Sequence, residues 1–199
     1  MKIPLLFSVG VLGFSMVFSG CTSVSPGDKS VGGPVAPHSA LCRLKDENGQ
    51  VIPPNFAGTI GVTQRGHAAT HVVLLQKVQT ASCEKFDRVV FTFEGFHHPS
   101  YKLEYVDKPI RQCASGEVIP ISGDGWLQVA FHIAQAHTDD GQVTIANRNR
   151  HLNYRNLKQL AQTCDFEGDV RWVLGVGSPN RYRVVELQDP ARLVIDVKH

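Results

Sequence analysis

Short runs of β-branched and aromatic residues, separated by turn residues, fill the chain from Thr70 to its end. Gly95, Pro99, Gly123-Asp124-Gly125 and Asp189-Pro190 interrupt these runs, and such residues favour turns. Short strands at regular spacing are typical of an antiparallel sandwich or barrel. We therefore predict an all-β fold, an antiparallel β-sandwich, whose strands begin near His71, Phe86, Tyr101, Val118, Trp126, Arg171, Tyr182 and Arg192.

One segment, Leu152–Gln162, has a different pattern. Its Leu157, Leu160 and Ala161 recur at positions i, i+3 and i+4, which places them on one face of a helix. We predict one short helix here, covering an open end of the sandwich.

The first 20 residues have the pattern of an export signal. Lys2 precedes a mostly apolar stretch that ends at Phe18, which is shorter than the roughly 20 residues of a membrane span. Ser19-Gly20 before Cys21 resemble the lipobox of bacterial lipoproteins, in which the cysteine receives a diacylglyceryl group. We expect residues 1–20 to be a lipoprotein signal peptide and Cys21 to carry the lipid anchor. An ordinary secreted protein cleaved near Cys21 is the alternative.

Two segments separate Cys21 from the strands. Residues 21–40 are rich in Ser, Gly and Pro without periodicity, which is typical of a flexible tether. Residues 41–69 contain Asn48-Gly49 between short apolar runs, which predicts a hairpin or extended arm before the domain at 70–199. Thr22 stands where Asp marks retention at the inner membrane, so we expect a cell-envelope location, on the periplasmic side of the outer membrane if the source is Gram-negative.

Four cysteines remain once Cys21 is assigned to lipid: Cys42, Cys83, Cys113 and Cys164. An even number in an exported chain predicts two disulfides, and the sequence leaves all three pairings open. Reduced, buried thiols are the alternative.

Five segments between Phe86 and Val197 follow one another in a recognisable order and spacing. They are Phe86–Phe91, Tyr101 with Glu104–Val106, Gly116–Leu127, Cys164–Gly168 and Asp189–Val197. Together they resemble an AMIN-like domain, a module of bacterial lipoproteins related to the AMIN domain, over Thr70–His199. The resemblance implies a compact β-sandwich. Related AMIN domains accompany cell-wall amidases and pilus secretins and are thought to hold them at peptidoglycan.

Charge and motifs argue against several function classes. The formal net charge of +2 gives no electrostatic reason to bind nucleic acid. His97-His98 lie in a predicted loop, but no H-E-x-x-H motif or compact Cys/His cluster is present, so we expect no metal site and no cofactor. No G-x-S-x-G motif indicates a nucleophile, and we expect no catalytic residues and no enzymatic activity.

Noncatalytic binding of peptidoglycan or an envelope protein is the function that remains. Sugar rings stack on exposed aromatic side chains, for which Trp126 and Tyr101 are candidates. Arg148, Arg150 and Arg155 form a basic group along the chain that suits carboxylates or anionic headgroups. Core packing for Tyr101 and a solvated face for the arginines are the alternatives. A protein-interaction module that uses an exposed sheet edge is the second hypothesis, and a small envelope hydrolase the third.

Overall fold

A computed structural model describes residues 38–68 and 71–199. The predicted signal peptide, Cys21 and most of the predicted tether lie outside these residues. Within them, no helix is long and apolar enough to cross a membrane. In chain order the elements are α1 (His38–Cys42), β1 (Thr63–Arg65), β2 (Val73–Ser82), β3 (Phe86–Phe93), β4 (Ser100–Tyr105), β5 (Gly125–His132), β6 (Ala134–Gln135), β7 (Asn149–His151), β8 (Leu157–Phe166), β9 (Asp169–Val176), β10 (Tyr182–Leu187) and β11 (Arg192–Lys198).

The strands form two sheets. One has six strands in the order β1-β4-β5-β9-β8-β7, and the other has five in the order β10-β11-β3-β2-β6. Neighbouring strands are antiparallel except β2 and β6, which pair in parallel. The all-β sandwich predicted from the sequence is confirmed, with this one parallel pair as a difference.

The main core lies between the sheets. Alternate residues of a strand point to one face, so Val89, Phe91 and Phe93 of β3 face the six-stranded sheet. The Phe91 ring lies 5.0 Å from that of Phe131 and 6.0 Å from that of Trp172, both edge-to-face. Trp172 is fully buried, as its apolar neighbours in the sequence predict.

The arm before β1 covers the outer face of the five-stranded sheet. Its Leu41 and Ile52 pack on Val90 and Val194, which point away from the main core. The sheet is therefore covered on both faces, which explains why β3 and β11 are buried almost throughout, including the charged Arg88 and Asp196.

One disulfide and one buried ion pair hold this arm in place. A disulfide joins Cys42, at the end of α1, to Cys83 after β2. Arg88 and Asp196 form a fully buried two-point ion pair, with N–O distances of 2.6 and 2.8 Å. Arg88 also donates to the carbonyl of Leu41 at 2.6 Å. Because the buried charges are paired and hydrogen-bonded, their desolvation is compensated, and the pair connects the arm to the sheet.

The segment between β4 and β5, residues 106–124, covers half of the outer face of the six-stranded sheet. Ile110 and Ile121 pack there on Ala161 and Val173. The second disulfide, Cys113–Cys164, joins this segment to β8. We call residues 106–124 the covering loop.

The predicted helix at Leu152–Gln162 is wrong, since β8 occupies its second half. β8 is buried on both faces, by the core and by the covering loop, so its sequence lacks a period of two. Register shifts at Leu157/Gln159 and Gln162/Cys164 disturb the alternation further. The helical spacing of the apolar residues is therefore a result of two-sided burial, and the helix of the described chain is α1.

The predicted strand at Val118–Ile121 does not form either. Val118 makes one isolated bridge, to Arg111, within the covering loop. Its segment is apolar because it packs on the sheet, as Ile121 does, and not because it belongs to one.

Candidate functional site

The half of the six-stranded sheet that the covering loop leaves open is a polar surface. Residues opposite each other on neighbouring antiparallel strands share a face, so cross-strand rows can be followed over four strands. We call this surface the outer platform. One row consists of Gln64, Lys102, Ala130 and Arg171, and the next of Ser100, His132, Asp169 and Phe166.

Two depressions lie on this side of the sheet. The first, of about 420 Å³, is lined by Gln64, Lys102, Ala130 and Arg171. The small side chain of Ala130, between two long cationic ones, provides its floor. The second, of about 290 Å³, lies beside the Cys113–Cys164 disulfide. Arg171 lines the first depression and Cys164 lines the second. Because these two residues are cross-strand neighbours, the two depressions are adjacent on the sheet.

The charged groups of the outer platform are paired with one another. Lys102 Nζ lies 2.7 Å from Glu104 Oε1. Asp169 accepts from Arg171 at 3.2 Å and lies 2.9 Å from His132 Nδ1. Ion-paired side chains of this kind keep free donors and acceptors toward solvent, which suits a ligand rich in hydroxyl and amide groups.

Phe166 adds an exposed aromatic ring to this surface. Its residue is 53% exposed, and it lines the second depression. Phe166 is not among the binding candidates expected from the sequence, whose aromatic members are a tyrosine and a tryptophan. The turn residues Glu167-Gly168, both with positive φ, are the signal that could have placed it at the tip of a hairpin.

A cluster of titratable side chains holds the β1 wall of the first depression. Glu186 of β10 accepts from the Tyr101 hydroxyl at 2.9 Å and lies 3.0 Å from His67 Nε2. Arg65 lies 3.3 Å from its other oxygen. The His98 ring stacks obliquely on that of His67, with ring centres 5.6 Å apart, and is 5% exposed. These contacts connect the edge strand β1 of one sheet to β10 of the other.

Burial and hydrogen bonds shift the pKa values in this cluster. Burial lowers the pKa of His98, although the nearby Glu186 carboxylate opposes the shift. Burial alone would raise the pKa of Glu186, but hydrogen bonds from Tyr101 and His67 outweigh it and lower that pKa. Burial and the bond to Glu186 raise the pKa of Tyr101. The hydroxyl of Tyr101 and the carboxylate of Glu186 thus remain a neutral donor and a charged acceptor at neutral pH.

The structure places both aromatic candidates within the fold. The Trp126 indole packs under the covering loop, donates to the Ile121 carbonyl at 3.3 Å and carries the Lys108 ammonium over its ring at 4.3 Å. Tyr101 belongs to the main core, and its hydroxyl is engaged by Glu186. Tyr101 is therefore buried, whereas the Trp126 ring is half-buried and has Lys108 over one face.

The structure does not bring the three candidate arginines together. Arg148 lines the second depression, 3.8 Å from Asp165. Arg150 is half-buried between the sheets, where it donates to the Val78 carbonyl at 3.1 Å and burial lowers its pKa. Arg155 lies at another end of the sandwich and donates to the Glu84 carbonyl at 3.2 Å. They contribute to three separate places.

The histidine pair predicted in a loop is divided between two surroundings. His97 is exposed and packs on His71, whereas His98 is buried beside His67. Within residues 38–68 and 71–199, no group of three or more His, Cys, Asp or Glu side chains is arranged to hold a metal ion.

Comparison with known proteins gives one positive result. The model of the AMIN-like domain family matches residues 73–199, which is more than half of the chain and runs from the start of β2 to the last residue. Neither the curated proteins nor the solved structures give a match. The matched region contains both sheets except β1, and it associates the chain with the cell envelope. On this match, together with the two-sheet fold, the chain belongs to the AMIN-like domain family.

Proposed function

We propose that this protein is a lipid-anchored envelope module, attached through Cys21, that binds peptidoglycan without catalysis through the outer platform. AMIN-like domains are typically noncatalytic binding modules, which supports the class of function. The observation that carries the proposal is the open polar half of the six-stranded sheet, with its two depressions and the exposed Phe166.

The chemistry of the platform fits the glycan part of peptidoglycan. Glycan strands are extended and present hydroxyl and amide groups at short intervals. The paired side chains Lys102, Glu104, Asp169 and Arg171 offer hydrogen bonds without a large net charge. Phe166 offers a flat apolar surface for a sugar ring. Binding of this kind depends on hydrogen bonds and stacking, so it should tolerate salt.

The strand edges of the described chain favour the platform over strand addition. The edge strands β1 and β7 have three residues each, and β6 has two. β10 has six, but its first residue, Tyr182, is already bridged by Thr59. Three of the four edges are therefore too short to offer more than a few backbone groups, and the bridge to Thr59 leaves only Arg183–Leu187 of β10 open to a partner strand.

The test is a pull-down on purified sacculi with a soluble form that begins at Thr22, over a salt series. We expect saturable, salt-tolerant binding. F166S and the double variant K102Q/R171Q should each weaken it by about tenfold, which corresponds to about 1.4 kcal/mol. F96S is the matched control, because Phe96 is 65% exposed but lies outside the platform, and it should bind as the parent does.

Two results would contradict this proposal. One is the absence of saturable binding, and the other is equal binding by the platform variants and the control. The anchor has its own test, since C21A should abolish acyl labelling of the full chain in cells, and unchanged labelling would refute lipidation at Cys21.

A further inference from the structure

A cationic depression lies at the other end of the sandwich, away from the outer platform. It has a volume of about 530 Å³ and is bordered by the arm, the β2–β3 turn and the end of β11. We call it the cationic pocket. The side chains that matter here are Phe56, Lys85, Arg155, Lys198 and His199.

The cations of this pocket lack carboxylate partners. Lys85, Arg155 and Lys198 make no ion pair with any residue of the described chain. This differs from the outer platform, where each permanent cation has an acidic neighbour. Glu84 is the one acidic side chain among the lining residues. Asp87 lies behind, 3.9 Å from His199 Nε2, but it is buried and accepts from Ser82 and from the amides of Asn156 and Leu157.

Neutral groups hold these cations in place. Lys85 Nζ donates to the Asn55 side chain at 3.0 Å, and Arg155 donates to the Glu84 carbonyl at 3.2 Å. Lys198 Nζ lies 5.1 Å from the centre of the Phe56 ring. The His199 side chain is 9% exposed, and its Nε2 lies 3.1 Å from the Cys83 carbonyl. Each cation keeps further N–H donors for a ligand, and little ordering is needed on binding.

This arrangement suits a phosphate group. Several ammonium and guanidinium groups around one depression raise the local positive potential, and their N–H groups make short, charge-assisted bonds to anionic oxygens. A phosphate presents more acceptor oxygens than a carboxylate, and arginine and lysine both bind it well.

The position of the pocket indicates where the phosphate comes from. Cys83, whose carbonyl contacts His199, is joined by its disulfide to Cys42 at the end of α1. α1 begins at His38, where the described chain starts, 17 positions after Cys21. The first described element is thus linked to the pocket through the Cys42–Cys83 disulfide, and along the sequence it follows the proposed lipid anchor by fewer than twenty positions. We infer that the cationic pocket binds the phosphate of an anionic phospholipid headgroup, as a second contact with the membrane surface.

Vesicle binding tests this inference with the soluble form that begins at Thr22. Co-sedimentation is measured with phosphatidylcholine vesicles with and without phosphatidylglycerol. We expect binding to the anionic vesicles alone, and K85Q/R155Q/K198Q should lose at least about tenfold in affinity. The control K77Q/R111Q/R192Q removes the same number of positive charges elsewhere and should lose much less. In parallel, inorganic phosphate should shift the amide resonances of Lys198 and His199.

Three other outcomes each overturn a stated part of the inference. Equal losses in the two triple variants would mean a diffuse charge effect and no pocket. Phosphate-induced shifts without vesicle binding would refute the headgroup as the source of the phosphate. Neither shifts nor vesicle binding would refute the site altogether. Sacculus binding does not enter these readouts, so the proposed function and this inference can fail independently.

Discussion

Glu186 connects the two sheets at the open edge of the sandwich. It lies on β10 of one sheet, and its carboxylate contacts Arg65 of β1 and Tyr101 of β4, both in the other sheet. His67, which follows β1, adds a third contact. Because β1 borders the first depression of the platform, one partly buried carboxylate holds a wall of the candidate site.

The pH dependence of stability should reveal this cluster. The pKa of His98 is lower in the folded protein than its ordinary value of 6.5. The contribution of His98 to the free energy of unfolding is therefore fully present above pH 6.5 and is lost as the pH falls through the lowered folded value. Glu186 also has a lowered pKa, so its contribution is complete above 4.5 and is lost as pH falls further. Urea unfolding at a series of pH values should show both losses.

Single variants separate the two groups. In H98Q, the free energy of unfolding should decrease less steeply between about pH 7 and the pH at which Glu186 begins to titrate. E186Q should instead lower the free energy of unfolding by about 1–3 kcal/mol at neutral pH. H132Q is the matched control, since His132 is exposed and lies outside the Glu186 cluster. A parent curve parallel to that of H98Q would contradict the role of His98.

The sequence carries no signal for this cluster. His67 and Glu186 are 119 residues apart, and neither belongs to a spaced motif. The alternation of Val89, Phe91 and Phe93, by contrast, predicts their common face correctly, because that property is local to one strand. Local periodicity is visible in a sequence, whereas the partner of a polar group depends on which strands meet.

At the scale of elements, the same distinction explains β8. Strands with one face in solvent alternate visibly, as β5 does, and the sequence places them correctly. β8 is covered on both sides and contains two register shifts, so its apolar spacing resembles that of a helix. The covering loop causes this burial. Apart from one isolated bridge between Arg111 and Val118, it has no regular structure of its own.

The Cys113–Cys164 disulfide should control how firmly the covering loop holds to β8. Its loss should cost on the order of 2–4 kcal/mol, because it closes a long stretch of chain, with a sequence separation of 51. In C113S/C164S, hydrogen exchange should rise at the Cys113 amide, which donates to the Thr163 carbonyl, and at Ile119, which donates to Ile110. The amides of β3 should stay protected.

C42S/C83S is the matched control for this prediction. It removes the other disulfide, which holds the arm, so its exchange should rise around Leu41 to Ile52 and leave the covering loop unchanged. Increased exchange over the whole sheet in C113S/C164S would instead show that the loop and β8 unfold only with the rest of the domain.

At the scale of the whole molecule, two surfaces of different chemistry lie toward opposite ends of the sandwich. β9 begins at Asp169 in the outer platform and ends at Val176, which pairs with Leu157 of β8. The Leu157 amide donates to Asp87, at the start of β3 beside the cationic pocket. At about 3.3 Å per residue, the length of β9 separates these ends by roughly 23 Å. A domain held to a membrane at the cationic pocket would therefore present the platform away from it.

Lysine footprinting should distinguish the two surfaces in a single chain. Lys102 reports on the outer platform, Lys85 and Lys198 on the cationic pocket, and Lys77 on neither. When an amine-reactive label is applied to the soluble form, sacculi should protect Lys102 and leave Lys85 and Lys198 reactive, because the glycan covers only the platform. Vesicles containing phosphatidylglycerol should produce the reverse pattern, and Lys77 should be labelled equally in both. If both ligands protected the same lysines, the molecule would have one binding surface, and the opposed arrangement of wall and membrane contacts would be wrong.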